Sequence, residues 1–235
     1  MTHVVHPRAH RLGILRDWQS RWFSANPRRY REFLKCDTIL REYLLKRLRG
    51  MYISSIEIER NNAILRIIIK TSRPGFIIGR NGEGTVRLKA ELQKKVAKLN
   101  LPEKPDIRID VEEIRSPESD AAIVAAMIAE SLEKRLPFRR VLKQTVDKVI
   151  ANRNVNGVRI VIAGRLGGAD MSRTEEHKQG RIPLQTFRAD IDFAREKAYL
   201  PYGVIGIKVW IYRGEVFAQR SMVMAEGRKK NPAHV

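Results

Sequence analysis

An alternating run from Ala63 to Lys70 leads into Arg73-Pro74-Gly75-Phe76-Ile77-Ile78-Gly79-Arg80-Asn81-Gly82-Glu83-Gly84. Leu88, Leu92, Val96 and Leu99 then follow at helical spacing. This succession of strand, glycine-rich turn and amphipathic helix constrains the chain more than any other feature. Gly79 and Gly82 let the backbone turn tightly and approach another backbone without an intervening Cβ. The amides of Gly82, Glu83 and Gly84 would stand at a helix N-terminus, where phosphate is favoured. Arg73, Arg80 and Arg87 add positive charge.

The turn has the form of the GXXG loop of a KH module, which clamps about four nucleotides by their backbone. Arg73, Gly75, Ile78, Gly79, Arg80, Asn81 and Gly82 are its candidate RNA-binding residues. A tight strand-helix turn with no ligand is the plain alternative. Two nucleotide-binding readings fail. Thr85-Val86 stands where a P-loop requires Lys-Ser/Thr, and Gly82-x-Gly84-x-x-Arg87 lacks the third glycine of a dinucleotide fingerprint.

Charge points the same way. Lys and Arg number 46 against 26 Asp and Glu, a net +20 over 235 residues, while 43% hydrophobic content is enough for true cores. Such an excess repels itself and calls for a polyanionic partner. No apolar run approaches the roughly 18 residues of a membrane span, and Met-Thr-His-Val-Val-His-Pro-Arg lacks a signal peptide's apolar core. Cys36 is the only cysteine, which excludes an intrachain disulfide and cysteine zinc sites. The expected location is cytoplasmic, with no membrane partner.

In chain order, residues 1–16 read as a basic tail aimed at phosphate. His3, His6 and His10 lack the carboxylates or cysteines that would make a metal site. Trp18, Trp22 and Phe23 are expected to anchor their segment in a core rather than to stack on bases. Asp37 is the expected N-cap of a helix presenting Leu40, Tyr43, Leu44 and Leu48, ended by Gly50. Ile56 and Ile58, then Leu65, Ile67 and Ile69 after an Asn61-Asn62 turn, mark two strands. A third follows at Ile107, Ile109 and Val111, beyond a helix end near Asn100-Leu101-Pro102. The first half is thus a three-stranded sheet covered by helices, over residues 17–115. Ser116-Pro117 is the natural boundary.

The second half, 116–213, opens with an alanine-rich helix over 121–136. Another starts at Arg139, with Leu142, Val146, Val149 and Ile150 as its buried stripe. Arg139, Arg140 and Lys143 oppose the macrodipole at that helix start, a placement that favours an external anion over a merely solvated face. Strands are expected at Val158–Ile162, Ala189–Phe193 and Ile205–Ile211, completing an α+β chain with a second two-layer domain. Between the first two, glycines interleave with basic residues. Arg165, Gly167, Gly168, Arg173, Lys178 and Arg181 make a second phosphate-contacting candidate. Residues 214–235, with Arg228-Lys229-Lys230, read as a basic C-terminal tail.

No catalytic constellation is visible. Glu176 and His177, read as helical neighbours, point about 100° apart and form no dyad. Asp190 and Asp192 share a strand face and could hold Mg²⁺ in a nuclease-like site. Pairing with surrounding arginines is the favoured reading. The chain is read as a non-enzyme without cofactor or metal.

Three blocks then resemble a known family. They are Arg73-Pro74-Gly75 through Glu83; Gly164-Arg165-Leu166-Gly167-Gly168-Ala169; and Gly180-Arg181-Ile182-Pro183-Leu184 with Arg188-Ala189-Asp190-Ile191-Asp192. With Val5-His6-Pro7, Arg11-Leu12-Gly13-Ile14 and Gly203 to Ile211, they are similar to the third protein of the bacterial small ribosomal subunit. The resemblance implies a type II KH domain and a structural place in the subunit head. It implies binding to small-subunit rRNA, with His6, Arg11, Arg165, Gly167, Gly168, Arg173 and Arg181 as contact candidates. It also implies a place where mRNA enters the channel beside the fourth and fifth proteins, with the tenth and fourteenth nearby in the head. In the family, basic residues just after a helix-starting Phe help unwind mRNA without ATP; the matching positions are Arg139, Arg140 and Lys143. Two departures stand out: Arg80-Asn81 replaces a frequent lysine pair, and Ala9-His10 the usual Asn-Gly. A free KH-type regulator and a metal-dependent nuclease are the alternative functions.

Overall fold

The computed structural model describes residues 5–61, 64–99 and 105–217. The expected turn residue Asn62, the helix end at 100–102, His3 and the basic residues 228–230 lie outside them. Two four-stranded sheets organise the chain, each with helices on one face.

The first sheet has the order β1 (Ser20–Arg21), β2 (Ile53–Arg60), β3 (Ile64–Thr71), β4 (Asp106–Glu113). Pairing is parallel, antiparallel and parallel in turn. The three long strands fall where alternation placed them. The added β1 is two residues long, too short to leave a periodic signal. Ile56 and Ile58, with Leu65, Ile67, Ile69 and Ile107, form a buried floor for α2 (Pro27–Arg47) and α4 (Glu83–Ala97). Leu88, Leu92 and Val96 are buried as their spacing requires.

The helix whose expected N-cap is Asp37 instead has its cap eleven residues earlier. Asn26 is the N-cap, its side chain accepting from the Arg28 amide at 3.0 Å, and Pro27 fills the first helical position. Asp37 lies mid-helix and buried, where it accepts from Arg60 and from Trp22 Nε1–H at 2.6 Å. Trp22 is therefore an anchor, packed on Tyr30 and Phe33. Its neighbours depart from the expectation: Trp18 and Phe23 are exposed.

The second sheet is wholly antiparallel, with order β6 (Arg173–Gly180), β5 (Gly157–Gly164), β8 (Gly203–Glu215), β7 (Ala189–Leu200). α5 (Ala121–Glu133) and α6 (Phe138–Ile150) cover one face, burying Val158, Ile160, Ile162, Ile207, Val209 and Ile211. β6 was not expected. Its sequence, RTEEHKQG, carries no apolar alternation because it is an edge strand exposed along nearly its whole length. Charges along an edge also block pairing with another chain.

The segment expected as an N-terminal tail is packed from Pro7 onward. α1 (Pro7–His10) packs on β7, and Arg11 behind it is fully buried. The two halves also touch. Ser54 of β2 donates to Asp120, whose other carboxylate oxygen caps α5 through the Ala122 and Ile123 amides. Arg49 pairs with Glu133 at 2.5 Å. Among the described residues, no helix is long and apolar enough to cross a membrane.

Candidate nucleic-acid interface

The glycine-rich turn is built from α3 (Pro74–Ile78), a single 3-10 turn over Arg80–Gly82, and α4. Gly79 at φ 71° ends α3, and Asn81 (φ 51°) and Gly82 (φ 79°) continue in left-handed conformation. Asn is among the few side chains that tolerate such angles. The closest backbone approach in the turn lies two residues beyond the expected pair, at Gly84. A Cβ there would stand 2.4 Å from the Ile77 carbonyl oxygen. Gly84 thus lets α3 and α4 pack back to back. Of the expected amide donors, Glu83 N–H is spent on the Arg80 carbonyl.

The tip is open. Gly75, Ile78, Gly79, Arg80 and Asn81 are exposed, with Gly82 half-buried. Exposed Phe76 and Ile78 give it an apolar flank. Arg73 lies 4.5 Å from the Tyr52 ring centroid, which holds its guanidinium beside the tip. Arg87, expected to add charge, is paired with Glu83 at 3.1 Å. The free cation of the turn is Arg80, which has no carboxylate partner among the described residues.

A second cluster forms where α6 meets β5 and β6. Val141, Leu142, Val146 and Val149 hold α6 to the sheet, leaving Arg139, Arg140 and Lys143 exposed. Pro137 offers no side-chain cap, and the first turn holds no acid. Half-buried Phe138 is the hub: Arg139 and Arg173 lie 5.7 and 5.3 Å from its ring centroid. Both arginines approach Glu175, at 3.7 and 3.8 Å. The helix-start cations and one of the rRNA candidates, separate in sequence, therefore share one surface. The contacts of Phe138 with Arg173 and of Glu175 with Arg139 went unmarked in the sequence because those partners are remote along the chain.

Arg165 folds its own loop. It donates to the Ala169 and Tyr202 carbonyls at 2.9 and 3.2 Å, and reaches Asp170 at 3.4 Å. Gly167 and Gly168, both at positive φ, expose the loop's crest. Arg181 is exposed at the far end of β6, away from the α6 cluster.

The N-terminal candidates divide. Arg11 is corrected from an rRNA contact to an internal brace. Nε donates to Ala189 O at 2.6 Å, while the terminal nitrogens reach the carbonyls of Pro7, Leu184 and Thr186 at 3.1, 2.9 and 2.9 Å. With no exposed surface, this guanidinium is out of reach of phosphate. His6 is half-buried, edge-on to Phe193 with ring centroids 4.8 Å apart. Burial, then Arg195 and Arg8, hold its pKa below the ordinary histidine value.

Asp190 and Asp192 are engaged as the favoured reading required. Arg16 meets Asp190 at 2.8 Å, Arg213 meets Asp192 at 3.1 Å, and the Ala121 amide donates to Asp192 at 3.0 Å. Among the described residues, no group of three or more His, Cys, Asp or Glu could hold a metal ion. Glu176 and His177 lie on a strand, not a helix, so they face opposite sides of the sheet.

Comparison with known proteins covers both halves. Residues 39–119 match the family model of the KH domain, and residues 128–211 that of ribosomal protein S3, C-terminal domain. Small ribosomal subunit protein uS3 of Caldicellulosiruptor bescii is 43% identical over 98% of this chain and 100% of its own length. The proteins of that name from Endomicrobium trichonymphae and Alcanivorax borkumensis are each 42% identical. They cover 97% and 99% of this chain, and 95% and 97% of their own lengths.

Proposed function

Because the chain belongs to the uS3 family of small ribosomal subunit proteins, we propose that it is a structural constituent of that subunit, bound to rRNA and seated where mRNA enters. Its neighbours there are the fourth and fifth proteins at the channel and the tenth and fourteenth in the head. Its location is the cytoplasmic small subunit. Residues 17–115 act as the KH unit and 116–213 as the second domain. The exposed turn at Arg80-Asn81 takes the backbone of single-stranded RNA.

The observation that carries the channel role is the start of α6. Arg139, Arg140 and Lys143 are exposed at an uncapped helix N-terminus with no acid in its first turn. Cations there raise the local positive potential instead of offsetting it, which favours a bound anion. Arg173 extends the same surface through Phe138. Phosphates drawn across these cations are held on one strand while the ribosome's own movement advances the message. Strand separation then needs no ATP and no catalytic group on this chain.

Replacing Arg139, Arg140 and Lys143 together by alanine tests the role. The three flank the buried stripe of α6 without forming it, so assembly into subunits should persist. Elongation on messages with a stable duplex ahead of the ribosome should slow relative to matched unstructured messages. Equal slowing on both overturns the unwinding role, and exclusion of the variant from subunits reassigns the residues to assembly.

A further inference from the structure

We propose that the open face of the second sheet is a docking surface for RNA backbone, with Arg195, Lys197 and Lys208 gripping phosphate. It takes from the family reading only that RNA is the available polyanion. It is independent of the roles given to the glycine-rich turn and α6.

The first sheet has one face under helices and one open. In the second, α5 and α6 cover one face, while the N-terminal segment with Ile182 and Leu184 covers the Phe193–Trp210 part of the other. The remaining open surfaces of the two sheets differ in charge. On the first, the cations are matched by acids. Arg21 meets Glu57 and Glu59, Arg66 meets Glu59 and Asp110, and Lys70 lies 2.7 Å from Glu57. On the second, Lys178, Arg195, Lys197 and Lys208 are exposed and have no carboxylate partner among the described residues. Glu176 is the one acid between them, and Arg159 occupies it at 2.5 Å.

The register packs these cations closely. Arg195 of β7 stands directly across from Lys208 of β8, and Lys197 follows two residues along β7 opposite Gly206. Strand geometry spaces such neighbours about 5–7 Å apart. Like charges directly opposite each other destabilise a sheet pair, and a phosphate backbone laid over them reverses that sign. Burial is the main cause of the lowered pKa of His6, and Arg195 adds to it. Arg195 is steadied over Phe193, its guanidinium 5.3 Å from the ring centroid. Phe193 in turn packs on Trp210.

The face suits a nucleic-acid backbone better than a protein. Its large central aromatics, Phe193 and Trp210, are buried. The exposed pair Tyr199 and Val204 stands at the end of the sheet, where the Arg49 guanidinium lies 4.5 Å from the Tyr199 ring centroid. The centre of the face therefore offers cations and no apolar anchor of the kind that dominates protein interfaces. Ala163 and Gly206 leave a shallow floor next to Lys197 and Lys208. Cations spaced along paired strands read phosphate, not base identity.

The test uses the full chain and a blunt RNA duplex of mixed sequence, titrated over salt. The variant is Arg195→Gln, Lys197→Gln, Lys208→Gln, with Arg21→Gln, Arg66→Gln, Lys70→Gln as an equal-charge control on the first sheet. Both keep Arg139, Arg140 and Lys143, and circular dichroism checks their folding. The first variant should bind about tenfold more weakly at low salt, with a log–log salt slope shallower by about 2. The control should change by less than about twofold. An unchanged slope, or an equal loss in the control, overturns the proposal. Equal loss of polyglutamate and RNA binding also overturns it, assigning the face to an acidic protein.

Discussion

Asp37 and Arg60 form an ion pair at 2.7 Å inside the first core, their side chains 5% and 3% exposed. Arg60 also stacks on Phe33, 4.2 Å from its centroid, while Asp37 takes the Trp22 indole proton. The pair fastens α2 to β2 and secures the segment that precedes α2.

Removing one partner strands the other charge in the interior. Asp37→Ala should therefore cost about 3–5 kcal/mol of stability, whereas Asp37→Leu with Arg60→Met should recover much of the loss. Urea titration of the three proteins measures both. A small loss in the single variant would show that the pair is solvated.

Gly84 offers a prediction of reversed sign. An exposed glycine-to-alanine change in a helix gains about 1 kcal/mol. Here the added Cβ meets the carbonyl oxygens of Ile77 and Ile78 at 2.4 and 2.8 Å. Gly84→Ala should lower the melting temperature and weaken RNA binding together, as α3 and α4 are forced apart.

The tip of the same turn should behave differently. Asp tolerates the left-handed angle of Asn81 about as well as Asn does, and Arg80 is exposed without a partner. Arg80→Asp with Asn81→Asp should leave circular dichroism and melting unchanged while single-stranded RNA affinity falls. Retained affinity would assign the turn to packing or to a protein neighbour.

Arg11→Lys should act on stability, not on RNA. One ammonium cannot reproduce the fork that reaches carbonyls of Pro7, Leu184, Thr186 and Ala189. A loss on the order of 3 kcal/mol is expected, with RNA affinity of the folded fraction unaltered.

Asp120 sets a pH dependence at the contact between the halves. Burial, then the neighbouring Asp192 carboxylate, raise its pKa against the opposing pull of Ser54, the Ile123 amide and Arg213. A raised folded-state pKa means that the folded chain binds the proton more tightly. The Asp120 contribution to stability therefore falls as pH rises from the ordinary carboxylate range through the raised value. Asp120→Asn keeps the cap and removes the charge. It should match or exceed the parent's stability at neutral pH, and the difference should shrink on acidification.

The outlines of both cores were legible in the chain. Alternation at Leu65, Ile67 and Ile69 and helical spacing at Leu88, Leu92 and Val96 arise from contacts every second or every three to four residues. The same holds for Leu142, Val146 and Val149. A burial period of this kind is local information, so sequence alone determined those elements, the glycine-rich turn and the cation-rich start of α6.

What tertiary structure decided depends on partners far apart in the chain. Asp37 resembled a cap but is a buried counter-ion, because Arg60 arrives on another element. Arg11 resembled a phosphate ligand but is a brace, because the turn before β7 closes its carbonyls around it. β6 left no pattern, because an exposed edge strand buries too little to impose one. The row of Arg195 beside Lys208 exists only through strand register, which hydrogen bonds between β7 and β8 establish and no single segment encodes.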